Sequence, residues 1–409
     1  LRFIFTVGRM NKKRILILTN RVPYPLNDGG NMAMNAMIDG YHEAGMDVYL
    51  LAMNTTRHPV PPEQLRDIYQ HTEGFNAVAV DNSVRVWGTL MNFLWSREPN
   101  HASRFKHKEF EEKLIETMAY FKPDIIHVES IFLSSYMPLI RSKSSAKLVL
   151  RLHNIEHEVW ERAARHSKNP LKRYYLNNLA GRIKAYENKV WHEYDLLLPI
   201  THADAKVLVA TGVKVPYVVA HFAFAAAPFA LHSADVPWCA YHLGAMDWIP
   251  NRDAMKWFLM KVWPEIRKVA PDFRFYFAGR YMPAYFKSLN IAGVQCEGEV
   301  ADAQEFIAGK RILIVPLKAG GGIRIKILEA MAAEKLVICT RIAMQGIDAN
   351  AGEHYIEANE AHEFAAAIDY VLHHKTEALQ IAARGRMLVL SQYKRQHIMD
   401  EVIAAIQEL

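Results

Sequence analysis

Short, almost wholly apolar runs recur along the chain, and between them lie longer segments with apolar residues at every third or fourth position. RILILTN (14–20), DVYLLAM (47–53), NAVAV (76–80), DIIHVE (124–129), AKLVLRLH (146–153), DLLLPI (195–200) and YVVAH (217–221) form a first series. Runs of this length without polar alternation predict strands buried on both faces, as in a parallel sheet flanked by helices. After Pro228 the series restarts with CAYHLGA (239–245), FRFYFAG (273–279), VQCEG (294–298), RILIVPL (311–317), LVICT (336–340) and HYIEA (354–358). Segments such as AMKWFLMKVWPEIRKVA and EFAAAIDYVLHH read as helices between them. The two series predict an α/β protein of two doubly wound, Rossmann-like domains, residues 1–228 and 229–391, followed by a helix, 392–409, able to pack back on the first domain.

Composition narrows this picture. A chain of 409 residues exceeds what one hydrophobic core usually serves, and 51% hydrophobic with 22% charged residues is an ordinary globular mix. Cys239, Cys296 and Cys339 are too few and too scattered for a disulfide framework or a zinc site, and a reducing cytoplasm is the simplest compartment. The opening LRFIFTVGRMNKKR lacks the long apolar core of a signal peptide, and Met10 reads as a natural start. The longest apolar window, Val215 to Leu231, contains His221 and Pro228 and falls short of the roughly 20 residues of a membrane span. A net charge of +6 favours anionic partners. Nucleic acid is set aside, because no basic and aromatic stripe on strands accompanies the charge.

In doubly wound sheets, ligands bind beyond the carboxyl ends of the strands, so the loops there are where chemistry is sought. In NRVPYPLNDGGNMAMNAM, Gly29 and Gly30 precede a helix expected near Asn31, leaving backbone N–H groups for a phosphate; the bland alternative is a turn. The loop lacks GxGxxG, which counts against a dinucleotide oxidoreductase. In AGGGIRIKILEAMAAEK (319–335), a strand runs into Gly320, Gly321 and Gly322, and a helix is expected from about Ile323. Its N-terminal amides suit a diphosphate, with Arg324 or Lys326 adding charge-assisted bonds. Lys326 and Glu329 share a helix face and also fit an exposed ion pair. LGAMDWIPNRDAM offers Arg252, with Asn251 or Asp253 as a helix cap, and Arg280 ends FYFAGR.

RLHNIEHEVWERAA places His153 just after a strand. His153 and His157 flank Glu156, but HNIEH is not HExxH and no third zinc ligand is apparent. His127 and Glu129 end the preceding strand as weaker candidates. In the segment 169–194, lysines and arginines interleave with Tyr174, Tyr175, Tyr186 and Trp191, which fits either contact with anionic lipid or an amphipathic helix with its aromatics on the sheet.

PLKAGGGIRIKILEAMAAEKLVICT, preceded by GEVADAQEFIAGKRILIVPL and YHLGAMDWIPNRDAMKWFLMKVWPEIRKVAPDFRFYFAGR, resembles the retaining glycosyltransferases of the GT-B fold, in particular glycosyltransferase family 4. The resemblance spans nearly all of the second domain and is looser in the first, through PYPLNDGG, RLHNIEHEVWERAA and LLLPITHADAKVL. It implies two Rossmann-like domains facing a central cleft, with the acceptor on the first and a nucleotide diphosphate-sugar on the second. Of the family's Glu-x7-Glu motif, Glu329 matches the second position, which holds the ribose, whereas Gly321 replaces the first, which contacts the sugar. The resemblance further implies that His153 touches the donor sugar and that Arg252 neutralises the donor diphosphate; together with Gly29, Gly30, Arg280, Gly320, Gly321, Gly322 and Ile323, read from their places at strand and helix ends, Arg252 makes up the expected donor-binding set. Arg324 and Lys326 would act on charge developing on the diphosphate.

No DxD-like acidic pair stands on a suitable loop, so neither metal nor cofactor is expected. The expected partners are a nucleotide diphosphate-sugar and a glycan, lipid-linked or protein acceptor, in the cytoplasm or peripherally at the inner face of an anionic membrane. A sugar-nucleotide epimerase and a noncatalytic sugar-nucleotide-binding protein are the alternatives.

Overall fold

A computed structural model of the chain describes residues 12–26, 29–83, 99, 103–165, 167, 169–223, 236–320 and 322–409. Gly321, the residues around Pro228, and Met10 with the segment before it lie outside the described residues. The chain divides into two units, Leu1–Ala225 with Arg395–Leu409, and Ala226–Lys394.

The first unit is built on β1 (Arg14–Thr19), β2 (Asp47–Thr55), β3 (Gly74–Val80), β4 (Ile125–Val128), β5 (Lys147–Leu152) and β6 (Leu196–Pro199). They form one parallel sheet in the order β3-β2-β1-β4-β5-β6. β4, β6 and nearly all of β1 and β5 are buried on both faces, which is why each read as a continuous apolar run. The second unit holds β7 (Ala240–Leu243), β8 (Phe275–Ala278), β9 (Val294–Gly298), β10 (Ile312–Val315), β11 (Leu336–Cys339) and β12 (Ile356–Glu357). Read from its β9 edge, this sheet repeats the order of the first, β9-β8-β7-β10-β11-β12. The strand order reverses between β1 and β4 and between β7 and β10, and at such switch points the loops diverge and leave a crevice at the strands' carboxyl ends.

Two sequence expectations need correction. YVVAH is not a sheet strand: it lies along β6, where Val218 and Ala220 donate to the carbonyls of Leu197 and Pro199, but only Tyr217 forms a bridge. Pro216, which cannot donate, precedes it, and the segment covers the sheet edge without extending it. The helix after the glycine loop is Ile325–Ala332 and not one from Ile323, because Gly322 takes φ +79° and Arg324 φ −91°, ψ 88°, neither of them helical. In the other glycine loop the helix Gly29–Glu43 starts two residues before Asn31.

The helix Arg395–Gln407 belongs to the first unit. Its Ile398, Met399, Val402 and Ile406 join the apolar cluster that holds Met37, Tyr41 and Val48. Met399 lies on Gly40, where a Cβ would come within 2.6 Å of its Cγ and Sδ, so glycine is what lets the two helices approach. Arg395 bonds Asp39 at 3.2 Å and also Glu43, and Lys13 Nζ donates to the Ile406 carbonyl at 2.8 Å. On the helix Pro170–Trp191 the aromatics divide: Trp191 is buried and Tyr186 packs on the core, whereas Tyr174 is exposed beside Leu171.

Candidate functional site

In the second unit, the chemistry gathers at the switch point between β7 and β10. His242, on β7 and fully buried, donates from Nδ1 to the Ile314 carbonyl of β10 at 2.8 Å. That bond leaves Nε2 as an acceptor, and Lys326 Nζ lies 3.4 Å from it. Burial, and next the Lys326 charge, hold the imidazole well below its usual pKa, so it is neutral. Lys326 Nζ also donates to Asn251 Oδ1 at 3.0 Å, and Asn251 Nδ2 donates to the Ala245 carbonyl at 3.0 Å. The amide of Asn251 is thereby fixed at both ends. Asn251 is no N-cap, since the helix Ile249–Trp257 starts two residues earlier.

Lys326 is therefore not half of an exposed pair with Glu329. Its stem runs across to β7, and burial, with Arg324 adding to it and Glu329 opposing it, pushes the ammonium down to about 7. Glu329, largely buried on the same helix, is pushed up by burial while Lys326 pulls it down. Arg324, 5% exposed, donates to the carbonyls of Gly322 and, at 3.4 Å, Ile342, bracing the glycine loop from beneath.

Glycines make this site possible. A Cβ on Gly244 would stand 2.7 Å from both Lys326 Nζ and Asn251 Nδ2, and one on Gly279 would stand 1.8 Å from the Gly244 carbonyl oxygen. The ends of β7 and β8 can lie side by side only with both residues bare. Gly320, at φ +130°, has a conformation that side chains avoid, and a Cβ there would press on Trp248 at 3.0 Å. Arg252 is half-buried in the first turn after Trp248. The Arg280 carbonyl accepts from Met246 N at 2.9 Å, and its guanidinium lies 5.9 Å from the Tyr281 ring. Gly320, Gly322, Ile323, Arg324, Lys326, Glu329, Arg252 and Arg280 all belong to the second unit, and of these Lys326 meets His242 and Asn251, a neutral histidine and an asparagine that spacing did not single out as ligands.

Gly29, Gly30 and His153 belong to the first unit. Gly30 and His153 line a cavity of about 350 Å³ beyond the carboxyl ends of β1, β2, β4 and β5. His153 Nε2 lies 2.7 Å from Glu129, a fully buried carboxylate that also meets His127 at 3.1 Å and Arg151 at 3.7 Å. Burial pushes Glu129 up, but Arg151, His127 and His153 outweigh it and hold the carboxylate well below its usual range. Glu156, also on the cavity wall, is pushed up to about 7 by burial and by Glu187, which accepts from the backbone N–H groups of Glu156 and His157. His157 Nδ1 lies 2.5 Å from Glu187, so the two histidines of HNIEH serve separate carboxylates.

Residues 240–374 match the family described as Glycosyl transferases group 1. A protein of Klebsiella pneumoniae described as an uncharacterized 44.6 kDa protein in cps region is 24% identical over 368 residues, covering 87% of this chain and 90% of that protein. The structure is similar to sucrose-phosphate synthase from Thermosynechococcus elongatus, with a TM-score of 0.68 at 13% identity over 97% of this chain and 99% of that one. HepE from Anabaena in complex with UDP-glucose gives 0.65 at 13% identity, over 97% and 100% of the two chains. TarM gives 0.66 at 9% identity, over 97% and 99%. The fold is GT-B, and the match to glycosyl transferases group 1 lies within the second unit.

Proposed function

We propose that the protein is a metal-independent, retaining glycosyltransferase that moves a sugar from a nucleotide diphosphate-sugar to a hydroxyl of a glycan or lipid-linked acceptor. The observation that carries this reading is Lys326, buried at the β7/β10 switch point against Asn251 and neutral His242, beneath a glycine loop at a helix N-terminus. A buried ammonium with only neutral hydrogen-bond acceptors at its tip is poised for an anion. The diphosphate lies on the glycine loop and the helix amides, with Lys326 at its outer phosphate and Glu329 accepting from the ribose hydroxyls. As the bond from the anomeric carbon to the diphosphate oxygen breaks, negative charge grows on that oxygen, where Lys326 and the helix dipole stabilise it. The acceptor hydroxyl attacks the same face of the sugar and passes its proton to the leaving phosphate. Protein cations take the part a divalent metal plays elsewhere.

The Klebsiella relative in a cps region supports polysaccharide synthesis as the setting, and a nucleotide-sugar donor supports the cytoplasm as the compartment. No helix among the described residues is long and apolar enough to cross a membrane. Calorimetry with nucleoside diphosphates tests the reading. Glu329→Ala is expected to weaken nucleotide binding by about tenfold or more, the loss of a charged hydrogen-bond acceptor. Turnover of the nucleotide-sugar is expected to persist in EDTA. Unchanged nucleotide affinity in the variant defeats the ribose assignment, and activity that EDTA abolishes and Mg²⁺ restores defeats metal independence.

A further inference from the structure

Among the described residues, the first-unit cavity is lined by four arginines, Arg21, Arg57, Arg104 and Arg151, and two glutamates, Glu129 and Glu156. Arg57, following β2, and Arg104 both line it, and Arg104 is held down from its usual pKa by burial and next by repulsion from Arg57. Two guanidinium groups lining one cavity suit an oxyanion, which each can bind through charge-assisted hydrogen bonds. The two described carboxylates on the wall do not supply it. Glu129 is already engaged by Arg151, His127 and His153, and Glu156 is held close to neutrality. Arg104 is also set in place: its carbonyl is bonded to His107 Nε2 at 2.9 Å, and its Nη1 donates to the Asn82 carbonyl at 3.5 Å. The rest of the wall suits a sugar ring, with the amides of Asn20 and Asn154 and the Ser130 hydroxyl for hydroxyl groups, and Phe105 and Phe132, stacked at 6.3 Å, as an apolar surface. The volume falls at the low end of small-molecule sites, roughly 300–1,000 Å³.

We propose that this cavity is a subsite for an acidic sugar of the acceptor, whose oxyanion, a carboxylate or a phosphate, is bound by Arg57 and Arg104. The assignment to an acceptor rests on the glycosyltransferase reading; the binding of an oxyanion-bearing sugar does not. The cation pair favours acidic over neutral sugars, because an oxyanion gains charge-assisted bonds from both guanidinium groups that a neutral hydroxyl does not.

The full chain is titrated calorimetrically with glucuronate, glucose 6-phosphate, inorganic phosphate and glucose, with and without saturating UDP. Glucuronate or glucose 6-phosphate is expected to bind at least about tenfold more tightly than glucose, and the stronger of the two identifies the oxyanion. Arg57→Gln and Arg104→Gln are each expected to weaken the acidic sugar about tenfold, to leave glucose unchanged, and to leave UDP affinity at the wild-type value. Arg57 is exposed, so Arg57→Gln carries the test should Arg104→Gln fold poorly. Equal affinity for glucose and the acidic sugars overturns the proposal, as does acidic-sugar binding that resists both substitutions or is displaced by UDP. Inorganic phosphate that binds as tightly as glucose 6-phosphate shows an anion hole with no sugar recognition and also overturns it. A chain that binds acidic sugars but no nucleotide refutes the glycosyltransferase reading and leaves the subsite standing.

Discussion

Lys326 shows how far a single residue can be read from the chain. Its type and its distance from the glycines marked it as a phosphate ligand, but the groups its ammonium meets, His242 and Asn251, lie 84 and 75 residues away and reach it only through the fold. His242 left a faint trace, a histidine inside an otherwise apolar strand, and Arg151 in KLVLRL left another. Only packing shows that the first meets a lysine and the second bonds Glu129 and the Ala33 carbonyl. A consequence in pH follows from Lys326. Its folded pKa of about 7 lies below the unfolded value of 10.5, so between these limits the unfolded chain binds more protons and stability rises with pH. A bound diphosphate raises the lysine again, so nucleotide binding is expected to take up close to one proton at about pH 8 and to weaken as pH rises beyond 7. Calorimetry at pH 8 in buffers of different ionisation enthalpy measures that uptake. Lys326→Met is expected to abolish it and, by removing a buried charge, to raise the melting temperature at pH 7.

At the level of elements, the inner parallel strands were legible because burial on both faces writes them as unbroken apolar runs, whereas the edge strands β3 and β9 are only partly buried, contrary to that expectation; the observed ends fall within one or two residues of the runs for most of β1 to β11. Helix starts were less legible. Where the chain enters a helix through glycine, the first helical residue is decided by φ and ψ values that composition does not reveal, as at Gly322 and Arg324. YVVAH has the composition of a strand but follows a proline along a sheet edge, where hydrogen bonding does not have to be regular. The close approach of β7 and β8 at their carboxyl ends was invisible, since Gly244 and Gly279 look like ordinary loop glycines. Gly279→Ala forces its methyl group into the Gly244 carbonyl and is expected to destabilise the second unit by about 2–4 kcal/mol, in the range of severe packing defects. Chemical denaturation followed by the tryptophans of the second unit checks this, and an undiminished midpoint refutes the steric argument.

On the scale of the whole molecule, each unit has its own apolar cores and its own copy of one sheet order, a duplication that the two series of apolar runs made visible. Ownership of the helix Arg395–Gln407 was not written in its sequence, because an amphipathic helix does not name the face it covers. Its four buried side chains, at about 1.5–3 kcal/mol each, bring on the order of 6–12 kcal/mol to the first unit, comparable with the whole stability of a typical domain. Deleting residues 395–409 is expected to unfold or strongly destabilise the first unit while the second keeps its structure. Hydrogen exchange on the two units measures this separately, and equal protection of the first unit with and without the helix sinks the claim. The same connectivity orders events during synthesis. Ribosomes deliver the chain from its amino end, so the groove around Gly40 stays uncovered until all of Ala226–Lys394 has been made. The second unit can therefore mature first, and a half-made first unit, with Met37 and Tyr41 unsheltered, is the species a chaperone would meet.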